Sequence, residues 1–100
     1  MIIVSQDKET LLNFDNIQNI RIEEYGTHEK GKKIYKIFSG NFEGYATLLG
    51  IYQTKEKAKA VLQDIVSNYQ CFCHHKDEYS RFFMPQDINY YDDSYDDLPF

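Results

Sequence analysis

The chain has 100 residues, a net charge of −5 and aromatic side chains at 16% of its positions. This length allows one domain with one modest core, which disfavours a deep cleft between two lobes. Residues 77–100 carry seven acidic side chains against Arg81 alone, whereas residues 1–76 are nearly neutral. Because no broad basic field exists, we expect no direct binding of nucleic acid.

The start of the chain predicts short strands and no targeting signal. Met1–Val4 is β-branched at three of its four positions and is expected to form a strand. A second short strand is predicted at Thr10–Phe14, after a turn at Ser5–Lys8. Met1–Val4 lacks a basic flank and no run of eighteen apolar residues occurs, so neither a signal peptide nor a membrane span is predicted. We therefore expect a cytoplasmic protein.

Strand patterns continue as far as Tyr52. Strands are predicted at Ile20–Glu24, Ile34–Phe38 and Tyr45–Tyr52, the first of which alternates isoleucine with charged residues, as a half-buried strand does. A polar loop bounded by glycines at Gly26–Lys33 and a turn at Ser39–Asn41 separate them. Loops this short join antiparallel neighbours, so an antiparallel sheet is predicted.

A single helix is predicted to begin after Thr54. Thr54 is a good N-cap, and Glu56 complements the helix dipole in the first turn. The apolar residues that follow recur at helical spacing and form one stripe. They are Ala58, Val61, Leu62, Ile65, Val66 and Tyr69. We expect the helix to pack this stripe on the sheet and to end near Asn68–Gln70.

The C-terminal end is predicted to contain one more strand and a tail. An extended segment is expected from about Tyr79 to Met84, where Pro85 stops it. Asn, Asp, Tyr and Ser dominate afterwards, so residues 89–100 are expected to be a loose acidic tail. The predicted fold is α+β, with an antiparallel sheet of about five strands, one packed amphipathic helix, a terminal strand and the tail. The single domain is expected to span residues 1–88.

Two cysteines and two histidines lie close together, at Cys71, Cys73, His74 and His75. Structural zinc sites use two separated pairs of ligands, and adjacent histidines point to opposite faces of an extended segment. A thiolate that follows the C-terminus of a helix is disfavoured by the dipole. We therefore predict no metal, no cofactor and no catalytic residue, and expect the histidines to lie at the helix C-terminal turn, where the dipole favours them.

The segment Arg81–Pro85 has residue types that suit a nucleotide. Arginine recognises phosphate through two parallel hydrogen bonds, and aromatic rings stack on nucleobases. Only one other arginine, Arg21, occurs in the chain. The competing interpretation is structural, with Phe82 or Phe83 in the core and Arg81 on the surface.

Three short patterns together resemble small proteins of Firmicutes phages and prophages. They are the opening Met1–Asp7, the strand-to-helix junction Leu49–Ala58, and the segment Arg81–Pro85 followed by an acidic end. The group is similar to the anti-Thoeris cyclic-nucleotide sponge family. The resemblance implies a non-enzymatic protein that binds the cyclic ADP-ribose isomer made by a bacterial defence system and keeps it from its effector.

The resemblance also implies an assembly and a set of ligand-binding residues. Such proteins are homo-oligomers, dimers or larger, with pockets at subunit boundaries, and a short chain rich in tyrosine fits that expectation. The implied ligand-binding residues are Arg81, Phe82 and Phe83, with Arg21 next. The alternative function is an acidic inhibitor of the anti-CRISPR type, whose Asp87–Asp97 tail occupies a basic nucleic-acid channel.

Overall fold

The computed structural model describes residues 1–75 and 81–87, and it describes residues 72–75 by their backbone alone. Within these ranges the chain forms six strands and one α-helix, with a short 3-10 turn after the second strand. In chain order they are β1 (Ile2–Val4), β2 (Leu11–Asn13), β3 (Ile17–Gly26), β4 (Lys33–Asn41), β5 (Ala46–Tyr52), α1 (Lys55–His75) and β6 (Arg81–Phe83). The predicted α+β class is confirmed.

The strands form two small sheets, so the prediction of one antiparallel sheet of about five strands is wrong. In the small sheet β1 lies between β2, which is antiparallel to it, and β6, which is parallel to it. In the large sheet β3, β4 and β5 form an antiparallel meander. The first strand therefore pairs with a strand from the other end of the described chain, and a local sequence pattern carries no record of such a pairing.

The large sheet turns its alternate residues toward the helix. Ile20 and Ile22 of β3 pack against the core, as their alternation predicted. The predicted turn at Ser39–Asn41 is wrong, because β4 continues through Asn41 and the chain turns at residues 42–45. A Cβ added at Gly40 would lie 3.0 Å from the Asn19 side-chain oxygen. The absence of a side chain at Gly40 therefore leaves room for the Asn19 side chain of the neighbouring strand.

An irregularity in β5 concentrates apolar side chains on the inner face. The register shifts by one residue between the pairs Ile37–Gly50 and Phe38–Leu48, which leaves Leu49 as the additional residue of β5. Leu49 joins the core at 1% exposure. The Tyr52 ring covers Gly50 so closely that a Cβ there would lie 3.0 Å from it.

The helix α1 begins as predicted and ends later than predicted. The Lys57 N–H donates to the Thr54 hydroxyl at 3.1 Å, which confirms the N-cap. The expected end near Asn68–Gln70 is wrong, because α1 continues to His75. No glycine or proline interrupts the sequence from Lys55 to His75, so nothing in it stops the backbone pattern. Cys71 is exposed on this last part of the helix.

One core lies between the helix and both sheets. Its buried apolar residues come from four strands or their flanks (β1, β4, β5 and β6) and from α1. They are Met1, Ile3, Ile37, Leu49, Tyr52, Ala58, Val61, Ile65, Phe82 and Met84. The stacked rings of Phe14 and Tyr69, 4.5 Å apart, attach the helix to the turn that links the two sheets.

Buried polar groups join the small sheet to β5. The Gln6 N–H donates to the Leu49 carbonyl at 2.7 Å, and the Gln6 side chain accepts from the Ile51 N–H and donates to the Ile51 carbonyl. Farther along, the Asp87 carboxylate accepts the Gln53 N–H at 2.8 Å and pairs with Lys57. These hydrogen bonds satisfy backbone groups on the side of β5 that does not pair with β4. They also hold in place the segment that follows β6.

Candidate ligand groove

The register of the small sheet decides which residues share its outer face. Ile2 lies between Asn13 and Arg81, and Val4 lies between Leu11 and Phe83. These two rows point away from the core. The row between them, Leu12, Ile3 and Phe82, points into it. The strand Arg81–Phe83 therefore presents its first and third side chains to the outside and its second to the core.

The two outward rows form the floor of a groove, which we call the outer groove. Its volume is about 650 Å³, within the usual range for small-molecule sites. Most of its surface is apolar, with two cationic side chains and one amide. The described lining residues are Ile2, Val4, Lys8, Leu11, Leu12, Asn13, Arg81 and Phe83. No acidic side chain belongs to this described lining.

The turn between β1 and β2 brings Lys8 to the groove. The Lys8 N–H donates to the Ser5 carbonyl at 2.9 Å, and Ser5 and Thr10 exchange backbone and hydroxyl hydrogen bonds across the turn. Lys8 has a φ of 63° and is, among the residues described, the one non-glycine residue with positive φ. A lysine there is strained by its Cβ, whereas glycine or asparagine would be accommodated readily.

Hydrogen bonds around Asp7 keep this turn in shape. The Asp7 carboxylate accepts from the Ser5 hydroxyl and, at 2.9 Å, from the Glu9 N–H. The Ser5 hydroxyl contributes most, and the Glu9 N–H next, to a pKa of Asp7 below its usual value. An ionised Asp7 is therefore part of the turn that carries Lys8.

The groove is apolar in the middle and cationic toward both ends. Arg81 stands in the row at one end, and Lys8 belongs to the turn beyond the row of Val4. Phe83 is 57% exposed and Leu11 67% exposed, so a large apolar surface faces solvent between the two cations. Such a surface can cover an aromatic ring while the cations bind anionic groups.

The structure brings together two of the four residues predicted to bind ligand. Arg81 and Phe83 line the outer groove together. Phe82 does not line it, because the strand alternation places its side chain in the core at 7% exposure. Phe82 is therefore a core residue, as the competing interpretation of the segment Arg81–Pro85 predicts.

Arg21 lies on the outer face of the large sheet and is not part of the described lining of the groove. Its Nε donates to Glu23 at 2.6 Å and its Nη1 to Asn19 at 3.1 Å. Its guanidinium lies 5.7 Å from the centre of the Phe38 ring, a cation–π arrangement. The local network on β3 and β4 thus occupies Arg21.

Sequence reasoning did not select Lys8 or the apolar residues of β1 and β2 as part of a site. The hairpin pattern of residues 1–14 predicted the turn correctly, but the partner strand β6 could not be found from local patterns. A lysine in a turn position that favours glycine or asparagine is the one signal in the sequence that could have pointed to Lys8.

The cluster at the end of α1 does not contribute to the described site. Among the residues whose side chains the structure describes, no group of three or more His, Cys, Asp or Glu is arranged to hold a metal ion. The backbone of α1 places His74 and His75 in its last turn, as predicted. The side chains of Cys73, His74 and His75 lie outside the described part, so the expectation that they bind no metal stays a prediction. Among the described residues, no helix is both long enough and apolar enough to cross a membrane.

No family model matches this chain, and comparisons with curated proteins and with solved structures likewise find no match. The similarity to the sponge family therefore stays a prediction that rests on the three short patterns.

Proposed function

We propose that this protein binds and sequesters a small signalling nucleotide of the cyclic ADP-ribose type in the outer groove, without breaking a bond. The observation that carries the proposal is the position of Lys8. A lysine occupies a strained backbone conformation in a turn, and it lines the same groove as Arg81 and Phe83. A residue held in a strained conformation, with its cation lining the same groove as an exposed aromatic ring, is typical of a functional site.

The groove offers each group that such a nucleotide requires. Phe83 presents an exposed ring for stacking on the base, a contact worth about 1–3 kcal/mol in other proteins. Arg81 can bind one phosphate through two parallel N–H donors, and Lys8 can neutralise a second negative charge. The volume of about 650 Å³ is suitable for a ligand of this size.

Sequestration fits the described lining better than catalysis does. Apart from its two cations and Asn13, the lining is apolar, and it includes no carboxylate, histidine, serine or cysteine. General acid–base catalysis near neutral pH relies most often on a histidine or a carboxylate within reach of the reacting atom, and the described lining contains neither. We therefore propose that the ligand leaves as it entered. A cytoplasmic location belongs to the same proposal, because the signal acts inside the host cell.

Retention of intact ligand is the test of this function. The protein is incubated with cyclic ADP-ribose isomers, freed of unbound ligand by gel filtration, and denatured by heat. We expect mass spectrometry of the supernatant to show unchanged ligand. An altered ligand would identify an enzyme instead, and a supernatant without ligand would reject both binding and turnover for this class.

The two arginines of the chain provide a matched pair of variants. Arg81→Ala removes the guanidinium from the groove, and we expect it to weaken nucleotide binding on the order of 10- to 100-fold, as loss of a charged hydrogen-bonding partner does. Arg21→Ala removes the same group from the other sheet and is expected to leave binding unchanged. Titration calorimetry measures both. An equal loss of nucleotide affinity in the two variants would show that the ligand does not bind in the outer groove.

The alternative function is an acidic inhibitor that mimics nucleic acid, and the structure removes one acidic residue from the surface it would use. Asp87 is 3% exposed and pairs with Lys57, with Nζ 3.0 Å from a carboxylate oxygen. It therefore belongs to the fold and not to an exposed acidic surface. The other acidic side chains of Asp87–Asp97, which begin at Asp92, lie outside the described residues.

A further inference from the structure

The strand β3 is the exposed edge of the large sheet. It has ten residues, Ile17–Gly26, and pairs on one side with β4. Within the described residues no strand pairs with its other side. A long edge strand presents unpaired backbone groups that can add a strand from another chain. β3 contains no proline or lysine, and its one irregularity lies at its start, between Ile17 and Asn19. Its charged side chains, Arg21, Glu23 and Glu24, are therefore the main protection of this edge, and they favour only a partner with complementary charges.

The charges on β3 are arranged so that the strand complements itself. Arg21 and Glu23 point to the same outer face and touch, with Arg21 Nε 2.6 Å from the Glu23 carboxylate. Ile20, Ile22 and Glu24 lie on the opposite, inner face, where the two isoleucines pack against the core and Glu24 pairs with Lys33. An antiparallel copy of this strand would set opposite charges beside each other on the outer face only in particular registers.

Five registers centre on a residue between Ile20 and Glu24, and all of them keep inner face beside inner face. Centring on Ile20 sets Arg21 opposite the partner's Asn19, which carries no charge, and centring on Glu24 sets two carboxylates opposite each other. Centring on Arg21 sets it opposite the partner's Arg21, and centring on Glu23 sets two carboxylates opposite each other. Like charges directly opposite destabilise a strand pair. Centring on Ile22 sets Arg21 opposite the partner's Glu23 and Glu23 opposite the partner's Arg21.

We propose that β3 pairs with β3 of a second copy of this chain, antiparallel and across a two-fold axis at Ile22. The two sheets then form one sheet of six strands, with four alternating charges at the centre of its outer face. Arg21 already uses Nε and Nη1 toward Glu23 and Asn19. A guanidinium carries five N–H donors, so it has the capacity to bind the partner's carboxylate as well.

The size of this contact sets the expected strength of the dimer. A pair of ten-residue edges covers less surface than a standard interface, so we expect a dissociation constant on the order of 10–100 µM. Concentration therefore has to be varied across this range. This surface is separate from the outer groove, which lies on the other sheet, so the failure of either proposal leaves the other standing.

Sedimentation velocity between about 5 µM and 1 mM tests the dimer, as the expected range of dissociation constants requires. We expect the wild type to change from monomer to dimer. Arg21→Glu sets two acidic groups opposite each other and should raise the dissociation constant about tenfold or more. The doubly exchanged variant, Arg21→Glu with Glu23→Arg, restores complementarity and should dimerise again.

A matched charge change on the central strand serves as the control. Lys36 lies on the same outer face in β4, with Nζ 4.4 Å from the centre of the Tyr25 ring, and does not lie at the edge. Lys36→Glu should leave dimerisation unchanged. A wild type that stays monomeric at about 1 mM, or an Arg21→Glu variant that dimerises like the wild type, would overturn the proposal.

Cross-linking tests the register without relying on charge. In a Cys71→Ser, Cys73→Ser background, Ile22→Cys places two thiols opposite each other at the two-fold axis and should form a disulfide-linked dimer under mild oxidation. Ile20→Cys places its thiols about four residues apart along the strand, roughly 13 Å, and should not. Cross-linking at position 20 without cross-linking at position 22 would contradict the proposed register.

Discussion

At the scale of single residues, Lys8 shows a conflict between local stability and the groove. Its φ of 63° places its Cβ against its own backbone, a strain of about 1–2 kcal/mol that glycine would avoid. The turn around it is otherwise well satisfied, since Ser5 and Asp7 provide hydrogen bonds across it. These hydrogen bonds hold the turn in place and would form equally well with glycine at position 8, so they do not explain the lysine. The cation in the groove is the reason we assign to it.

Lys8→Gly and Lys8→Ala separate the strain from the charge. Lys8→Gly should raise the free energy of unfolding by roughly 0.5–1 kcal/mol, because relief of the strain exceeds the chain entropy that glycine adds to the unfolded state. Lys8→Ala keeps the strain and should not stabilise. Both variants lose the cation, so both should bind the nucleotide more weakly. Urea denaturation and titration calorimetry measure the two properties.

One pattern of results would contradict this account of Lys8. If Lys8→Gly were stabilised and still bound ligand like the wild type, the cation would have no part in the groove. The conformation of Lys8 would then be only a feature of the turn, and Arg81 would be the one cation left in the proposal.

At the scale of elements, the two sheets are joined along β5 by buried polar contacts. Gln6 bonds to β5 at Leu49 and Ile51, and Asp87 accepts the N–H of Gln53 just after β5. Tyr52, at the end of β5, donates its hydroxyl to the Pro85 carbonyl at 2.8 Å, and that carbonyl also accepts from Gln6 at 3.2 Å. Such contacts are costly to break, because each leaves a buried polar group without a partner.

The hydroxyl of Tyr52 makes this junction sensitive to high pH. Burial, followed by the negative charge of Asp87, raises the pKa of Tyr52 well above its ordinary value of 10.0. A raised folded-state pKa stabilises the protein below pH 10, the unfolded value, and this contribution is lost as the pH rises above it. The loss reaches about 1.4 kcal/mol per pH unit for one group.

Tyr52→Phe isolates this contribution. At pH 7 the variant should be less stable by about 1 kcal/mol, because it loses the hydrogen bond to Pro85. Above pH 10 only the wild type has to retain a proton on Tyr52, so the difference should shrink and then reverse. Urea denaturation at a series of pH values measures the difference. Tyr45→Phe, at an exposed tyrosine, is the control and should follow the wild type throughout.

The elements show what a sequence can and cannot reveal about this fold. The start of α1 was predictable because Thr54 and the apolar stripe are local signals, and its end was not, because no residue such as glycine or proline marks it. The meander β3–β4–β5 was predictable in outline from alternation and short loops. The pairing of β1 with β6 depends on contacts across the whole chain, so the division into two sheets was not.

The same distinction applies to the groove. Arg81 and Phe83 could be proposed from residue type alone, and their spacing of two residues places them on one face of any strand. Which of the two phenylalanines faces outward could not be decided without knowing which face of β6 meets Ile3. Lys8 and Leu11 entered the groove only once the register of β1 with its neighbours was known.

At the scale of the whole molecule, the core depends on residues 81–87, the last segment that the structure describes. Phe82 and Met84, at 7% and 3% exposure, belong to one core with Ile3 of the small sheet and Ile37 of the large sheet. β6 also supplies Arg81 and Phe83 to the outer groove. Folding of the core and assembly of the groove are therefore one event, and neither is expected without residues 81–87.

Two truncations test this dependence and the role of the acidic end together. A chain of residues 1–88 keeps β6 and Asp87, so it should melt at the temperature of the full chain and retain the nucleotide equally. A chain of residues 1–80 loses two buried core side chains, each worth roughly 2–5 kcal/mol, and should not fold. Differential scanning calorimetry and the retention assay measure both chains.

If residues 1–88 fold but lose nucleotide retention, the groove needs the acidic end and is not the complete site. If residues 1–88 fold, keep the ligand and fail in an assay against a nucleic-acid-binding effector that the full chain inhibits, the acidic end carries a second activity of the kind the alternative describes.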